Sequence, residues 1–270
     1  MAESDPILRI EGLRVEAGGA VLVDGVDVTL MRGEVLGLIG ESGAGKSTIG
    51  LAALGYARAG CRITGGRIVL DDTELRDLSP AGRRAVRGLR VAYVAQSAAA
   101  AFNPAMRLMD QVVEGPLRHK LMTRPEAERW AVALFRALDL PDPERFGRRF
   151  PHQLSGGQLQ RAMAAMAVAC RPDVLVLDEP TTALDVTTQI EVLALVRKLI
   201  REQGASALYI THDLAVVAQI ADRILVLRYG KAVEIGATAD ILGAPKTDYA
   251  RALVAERRAA VAGAGLAGGR

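Results

Sequence analysis

GESGAGKST, residues 40–48, stands directly after the apolar run Val35–Ile39. The spacing Gly40-x-x-x-x-Gly45-Lys46-Ser47 is that of a loop that wraps phosphates. Glycines let backbone N–H groups converge on an anion without Cβ clashes, and the helix that follows presents its positive N-terminus. Lys46 can then reach β- and γ-phosphates, and the Ser47 hydroxyl can ligate Mg²⁺. Glu41, Ser42, Gly43, Ala44 and Thr48 complete the same cradle. A glycine-rich turn with a chance lysine is the plainer alternative. At average composition that match arises in roughly one chain of this length in a hundred. The strand-like run before the loop and the helical run Ser47–Leu54 after it favour a nucleoside triphosphate site.

Around the loop lies a chain of 270 residues, 50% apolar and 24% charged. That suits one large domain, or one domain with an inserted subdomain. The net charge of +3, from 34 basic and 31 acidic residues, is too mild to argue for nucleic acid. Arg83, Arg84, Arg87 and Arg90 form a local basic cluster that reads as a solvated face. Cys61 and Cys170 make neither a ligand nor a disulfide pattern, so a reduced, cytosolic protein is expected. The opening MAESDP is acidic and reads as no signal peptide. The longest unbroken apolar run, Ala162–Cys170, is far shorter than the roughly 20 residues that cross a bilayer. Any membrane role is therefore expected to be peripheral.

Along the chain, residues 7–39 alternate as strands, and 65–72 and VAYVAQ (91–96) continue the β character. Ser79-Pro80 signals a helix start. From about 105 to 170 the pattern turns helical. MRLMDQVVEGPLRH is expected to break at Pro116, and Thr123 with Glu126 opens a helix whose Trp130, Leu134, Phe135 and Leu138 share a face. After 173, strands and helices alternate. DVLVLDE is a fully apolar strand, as a buried parallel one should be. Ile190, Leu193, Val196 and Ile200 line a helix ending at Gly204. The pattern predicts an α/β fold with a mostly parallel sheet, the phosphate loop lying at a strand's C-terminal end.

Two further stretches carry chemistry. Asp178 and Glu179 close the apolar strand as adjacent carboxylates, able to take different jobs: Asp178 to hold Mg²⁺, Glu179 to orient an attacking water. LSGGQLQR, residues 154–161, opens a second helix with an anion-binding start, and Ser155 to Gln158 fits a capping box. Its plainer reading is an ordinary N-cap. Its sharper reading is a helix aimed at the γ-phosphate of a nucleotide held by another subunit.

In this order, the phosphate loop 40–48, Gln96 after a strand, LSGGQ at 154–158, the carboxylate strand 174–179, Ala183-Leu184-Asp185 and His212 make the chain resemble the ATP-binding cassette family over almost its whole length. The resemblance implies a P-loop fold with a mostly parallel core sheet, an antiparallel β subdomain and an inserted α-helical subdomain. It implies one cassette over residues 1–250. Segments 7–104 and 171–240 would form the core and β subdomain, and 105–170 the helical subdomain. Residues 251–270 would hold a helix end and a disordered tail. It gives roles as well. Gln96 would contact Mg²⁺ and the lytic water. Ser155, Gly156, Gly157 and Gln158 would face the partner subunit's γ-phosphate. Asp185 would couple the two sites, and His212 would touch the γ-phosphate.

FNP (102–104), EPTTALDV, THDLAVVAQIADRI and APKTDYARAL also resemble the ATPases of bacterial peptide and nickel importers. That implies two membrane permeases, a second ATPase (identical or a sister), a solute-binding protein outside, no nucleic acid, and a peripheral place on the cytoplasmic face of the inner membrane. The competing reading is a soluble cassette ATPase acting on nucleic acid or the ribosome. Such chains usually carry a long coiled coil or tandem cassettes. A GTPase or small-molecule kinase has no use for LSGGQ.

Two departures from the family pattern lead to expectations. The position near Ala17, where relatives place an aromatic against adenine, is an alanine. Stacking worth about 1–3 kcal/mol in other nucleotide systems would be missing, so comparable use of ATP and GTP is expected. Ala98–Phe102, apolar where relatives are polar, are expected to form a docking surface for a permease helix.

Overall fold

The computed structural model describes residues 5–180 and 186–256. Two long antiparallel strands open the chain, β1 (Pro6–Ala17) and β2 (Ala20–Met31). Gly18 and Gly19 join them with φ of 55° and 86°, the left-handed pair that a tight hairpin turn requires. Their alternation buries Leu8, Ile10, Leu13 and Val15 from β1 and Val23, Val26, Val28 and Leu30 from β2. The short strand β3 (Val35–Ile39) is buried at every position and runs into the phosphate loop and helix α1 (Lys46–Ala52). Strands β4 (Cys61–Leu70) and β5 (Thr73–Glu74) complete an antiparallel sheet of order β2-β1-β4-β5.

Helix α2 (Pro80–Val86) starts as its sequence signals, the Ser79 hydroxyl accepting from the Gly82 N–H. The arginines after it are not merely solvated. Arg87 donates to the carbonyls of Leu54 and Gly55 and lies over the Tyr56 ring. Arg90 pairs with Asp173 and Asp71. Both staple the start of strand β6 (Val91–Val94) to its surroundings.

A helical lobe follows: α3 (Ala98–Ala101), α4 (Leu108–Arg118), α5 (Arg124–Ala137), α6 (Pro143–Phe146) and α7 (Gly156–Val168). Val112, Val113, Leu134, Phe135, Leu138, Phe146 and Met163 pack its core. The rings of Phe135 and Phe146 meet at 5.1 Å and 60°, a tilted arrangement that aromatic quadrupoles favour. Trp130 is half-buried, its indole N–H donating to the Ala169 carbonyl at 3.0 Å.

Two expectations fail here. Pro116 lies inside α4 and does not break it. Its missing N–H forfeits one bond, to the Val112 carbonyl, and the buried side chains of Val112, Val113 and Pro116 carry the helix across it. Ala98 and Phe102 are also buried, in the helical-lobe core, so only Ala99, Ala100 and Ala101 are exposed.

The remaining elements alternate: β7 (Val174–Asp178), α8 (Val186–Gln203), β8 (Ser206–Ile210), α9 (Leu214–Ile220), β9 (Arg223–Arg228), β10 (Lys231–Ala237) and α10 (Thr238–Gly243). Gly204 follows α8 with φ +65°. Leu193 and Ile200 are buried as expected, whereas Ile190 is exposed, and the side chain of Val196 lies outside the described residues. Residues 248–256 are helical. The second sheet has the order β10-β9-β3-β8-β7-β6, with every neighbouring pair parallel except β9 with β10. One face of this sheet packs with α1 and the antiparallel sheet, and the other with the helical lobe. The C-terminal ends of β3, β7 and β8 therefore open side by side, with residues of the phosphate loop, Asp178-Glu179 and Thr211-His212 beyond them.

Candidate functional site

The phosphate loop keeps its shape through two glycines that no other residue could replace without strain. Gly40 has φ +151°, and a Cβ there would stand 2.2 Å from the Leu227 carbonyl oxygen. Gly45 caps α1 with φ +95° and offers no side-chain cap, so the first N–H groups of α1 remain free of a competing hydroxyl or carboxylate. Lys46 is 6% exposed. Its Nζ donates to the carbonyls of Gly40 at 2.8 Å and Glu41 at 2.9 Å, which brings the ammonium under the loop. Burial pulls its pKa below the usual lysine range, and the charges of Glu179 and Asp178 oppose that shift.

The two adjacent carboxylates turn to different partners. Asp178, 4% exposed, accepts from the Ser47 hydroxyl at 2.9 Å on one oxygen and from the Tyr93 hydroxyl at 2.5 Å on the other. Glu179 sits just past β7 at φ +46°, a left-handed conformation costly for a residue with a side chain. The Gln96 amide donates to one of its oxygens at 2.9 Å, and His212 Nδ1 lies 3.0 Å from the other. The His212 ring is half-exposed beside this contact, whereas the Glu179 side chain is 15% exposed.

Glu179, Gln96 and His212 share with the phosphate loop one cleft of about 770 Å³, lined by Gly40, Glu41, Ser42, Gly43, Gly45, Lys46, Ser47, Thr48, Gln96, Glu179 and His212; Asp178 does not line it and meets it through Ser47. The volume lies in the range of small-molecule sites. Ala44 does not face the cleft. It is 4% exposed and packs in the core, so within the loop it is a structural residue.

The Ser155 helix stands apart from this cleft. Ser155 and Gly156 are exposed, and Gly157 and Gln158 half-buried. Ser155 and Gln158 close the expected capping box, each side chain accepting from the other's N–H at 3.3 Å. Asp185 lies outside the described residues.

Some cleft residues carry no local sequence signal. The Glu41 N–H donates to the Tyr249 hydroxyl at 3.3 Å, so the helix at 248–256 braces the phosphate loop. Leu253 and Glu256 of that helix line the cleft, as does Leu22 of β2. Tyr93 gave one hint: it is the only residue with a polar group in an otherwise apolar strand. Burial and the Asp178 carboxylate hold its hydroxyl protonated, well above the usual tyrosine range.

The residues present fit a magnesium ion. Ser47 and Asp178 offer hard oxygens beside a phosphate-binding loop, and Mg²⁺ is commonly held by one or two carboxylates together with substrate phosphates. No cluster of three or more His, Cys, Asp or Glu side chains able to hold a metal occurs among the described residues. A cation here would rely on the nucleotide for the rest of its ligands.

Comparison with known proteins agrees with this geometry. The family profile described as "ABC transporter" matches residues 23–182. The dipeptide transport ATP-binding protein DppD of Bacillus subtilis (strain 168) is 39% identical over 255 residues, covering 93% of this chain and 76% of its own. The glutathione import ATP-binding protein GsiA of Escherichia coli is 39% identical over 263 residues, and the match spans 94% of this chain but 42% of GsiA. Among solved structures, the dimeric cassette MJ0796 in a post-hydrolysis state bound to ADP and Pi superposes with TM-score 0.75 at 25% identity, covering 86% of this chain and 98% of that one. The cassette cbiO1 from Clostridium perfringens, part of the transporter complex cbiONQ, gives 0.76 at 25% identity over 89% and 92%. With its phosphate loop, Glu179 and the glutamine–histidine contacts in one cleft, and Asp178 bonded to Ser47 of the loop, the chain is an ATP-binding cassette ATPase and belongs to the ABC transporter family.

Proposed function

We propose that this chain is the ATP-hydrolysing subunit of a bacterial importer of peptides, working on the cytoplasmic face of the inner membrane. It would act beneath two permease subunits, paired with a second cassette, and with a solute-binding protein delivering the cargo. The observation that carries the reading is the meeting of Lys46, Gln96, Glu179 and His212 around one cleft, with Asp178 bonded to the cleft-lining Ser47. The dipeptide and glutathione importers among the relatives favour a peptide over nickel, the other solute class that the sequence resemblance suggests. No described helix is long and apolar enough to cross a membrane, so the pathway would belong to the permeases.

In this reading the loop amides and Lys46 hold the β- and γ-phosphates. Ser47, Asp178 and Gln96 would hold magnesium, which when bound would supply positive charge against the phosphate oxygens. Glu179 orients a water for in-line attack and accepts its proton, with ADP leaving on the opposite side. Gln96 and His212, which both hold Glu179, would keep it aimed, and His212 would reach the γ-phosphate. Ser155, Gly156, Gly157 and Gln158 would close over the γ-phosphate of the partner's nucleotide, and Asp185 would couple the two sites across the dimer. The exposed Ala99–Ala101 face would receive a permease helix.

The test is reconstitution with the candidate permeases and binding protein in vesicles. ATP hydrolysis should rise when the peptide-loaded binding protein is added and should ignore added DNA or ribosomes. The double substitution Ala99→Glu with Ala100→Glu should abolish that stimulation and leave basal hydrolysis intact. Stimulation by nucleic acid in place of the permease would overturn the assignment.

A further inference from the structure

We propose that Tyr93 is a positioning residue for the divalent cation, fixing the Asp178 carboxylate so that one oxygen faces Ser47 and the metal. The inference rests on the reading of Ser47 and Asp178 as cation ligands.

Its basis is geometric. In the parallel pair β6–β7, Tyr93 lies opposite Val176. Side chains two apart on a strand share a face, so Tyr93 and Asp178 project from the same side of the sheet. The tyrosine then reaches along the neighbouring strand to the carboxylate, its hydroxyl donating to Oδ2 at 2.5 Å. Oδ1 is left to accept from the Ser47 hydroxyl at 2.9 Å. A carboxylate with one oxygen free could rotate about its last bond. Anchored at Oδ2, Asp178 presents Oδ1 in one direction only.

A hydroxyl that coordinates a cation through its oxygen still needs an acceptor for its proton. Oδ1 of Asp178 is the acceptor that Tyr93 holds in place. Hydrogen bonds that orient the immediate ligands of a metal typically change affinity or activity by about 10- to 100-fold when removed.

Tyr93 also sits three positions before Gln96, whose amide holds Glu179. One short segment, β6 and its exit, therefore touches both adjacent carboxylates, Asp178 through Tyr93 and Glu179 through Gln96. A shift of this segment would disturb the cation site and the water-orienting group together.

The test is Tyr93→Phe, which keeps the ring and removes the hydroxyl, measured in the full chain. The probe is N-methylanthraniloyl-ATP, whose fluorescence reports binding first in excess EDTA and then across a Mg²⁺ titration. Affinity in EDTA should stay within about twofold of the unsubstituted chain. The Mg²⁺ concentration at half-effect should rise about tenfold or more. Bound Mn²⁺, counted by electron paramagnetic resonance in the presence of ATP, should weaken in parallel and gives a readout free of turnover.

A purely structural role would lower nucleotide affinity equally with and without metal and lower the melting temperature, and that result overturns the proposal. Asp178→Asn separates the two layers of the argument. If it leaves the Mg²⁺ dependence unchanged, the reading of Asp178 as a cation ligand fails. If it shifts the dependence while Tyr93→Phe does not, only the role of Tyr93 fails.

Discussion

The chain carries two glycine-rich helix starts, before α1 and at α7, and they are built in opposite ways. The loop before α1 has no side-chain cap, and its lysine is buried among its own carbonyls. Around it the single protomer supplies Asp178, Glu179, Gln96 and His212. The start of α7 is capped by its own Ser155 and Gln158, at 3.3 Å in both directions. That is past the usual hydrogen-bond range, and such contacts are weak. It is exposed, and it lies outside the cleft lining. In the proposed function the first start is one half of a site, assembled before any partner arrives. In the same proposal the second would be an anion-binding end whose loose cap a phosphate could replace at little cost. A protomer built this way should bind nucleotide alone and should turn it over only when another copy or a sister cassette contributes the second half.

The largest effect should come from breaking each half separately. Lys46→Ala should weaken ATP binding to a single protomer by about 10- to 100-fold, the loss of one charge-assisted interaction of roughly 1.5–3 kcal/mol. Ser155→Arg should leave that binding within about twofold yet cut turnover on the order of a hundredfold, as expected when donors facing developing charge are lost. Mixing the two inactive variants then sharpens the comparison. A mixed dimer contains one site made of an intact phosphate loop and an intact Ser155 helix, so part of the turnover should return. Equilibrium binding and steady-state phosphate release measure the two quantities. No recovery on mixing, together with full activity of Ser155→Arg alone, would show that the protomer needs no second half.

A smaller effect is expected from completing the first half. Ala17 ends β1, paired with Ala20 across the hairpin, and cleft-lining Leu22 lies two residues further on. Ala17→Tyr should add a stacking face and raise ATP affinity about tenfold, within the 1–3 kcal/mol of base–aromatic stacking. The unsubstituted chain should bind ATP and GTP comparably. Competition between the two nucleotides tests both statements, and a strong existing ATP preference would mean that other residues already read the base.

What the sequence made legible follows the same divide. Residues 40–48, the strand that precedes them and the Ser155 start are local devices, in which glycine spacing, an apolar strand and a capping box say what the backbone must do. Contacts made by distant residues were not legible. Tyr93 meets Asp178 across 85 positions and Tyr249 meets Glu41 across 208, and no short motif announces either. The errors have physical causes too. A proline in a helical pattern reads as a break, and the burial of Val112, Val113 and Pro116 that carries α4 past it depends on the rest of the lobe. Ala98 and Phe102 pack inward where the sequence suggests a surface, because short apolar segments look alike whether they dock outward or pack inward.

The smallest effect on chemistry should come from the joint between the regions. Gln111, on α4 and 7% exposed, accepts from the Asn103 N–H at 2.8 Å and donates to the carbonyls of Asn103 and Met106 at 3.1 Å each. It clamps the chain leaving Gln96 onto the lobe that carries α7. Gln111→Leu keeps much of the bulk and removes all three bonds; the Asn103 carbonyl retains the Met106 N–H, while the Asn103 N–H and the Met106 carbonyl lose their protein partner. That should cost about 2–4 kcal/mol and lower the melting temperature by roughly 4–12 °C for a chain of this size. Nucleotide affinity should hold within about twofold, because the phosphate loop makes no hydrogen bond to Gln111. Amide exchange should quicken across residues 103–113 and stay slow in β3 and α1. A melting temperature unchanged by the substitution would mean that packing alone joins the two halves. A loss of nucleotide affinity would mean that the clamp reaches the loop itself, and that the two regions are less separable than their hydrogen bonds imply.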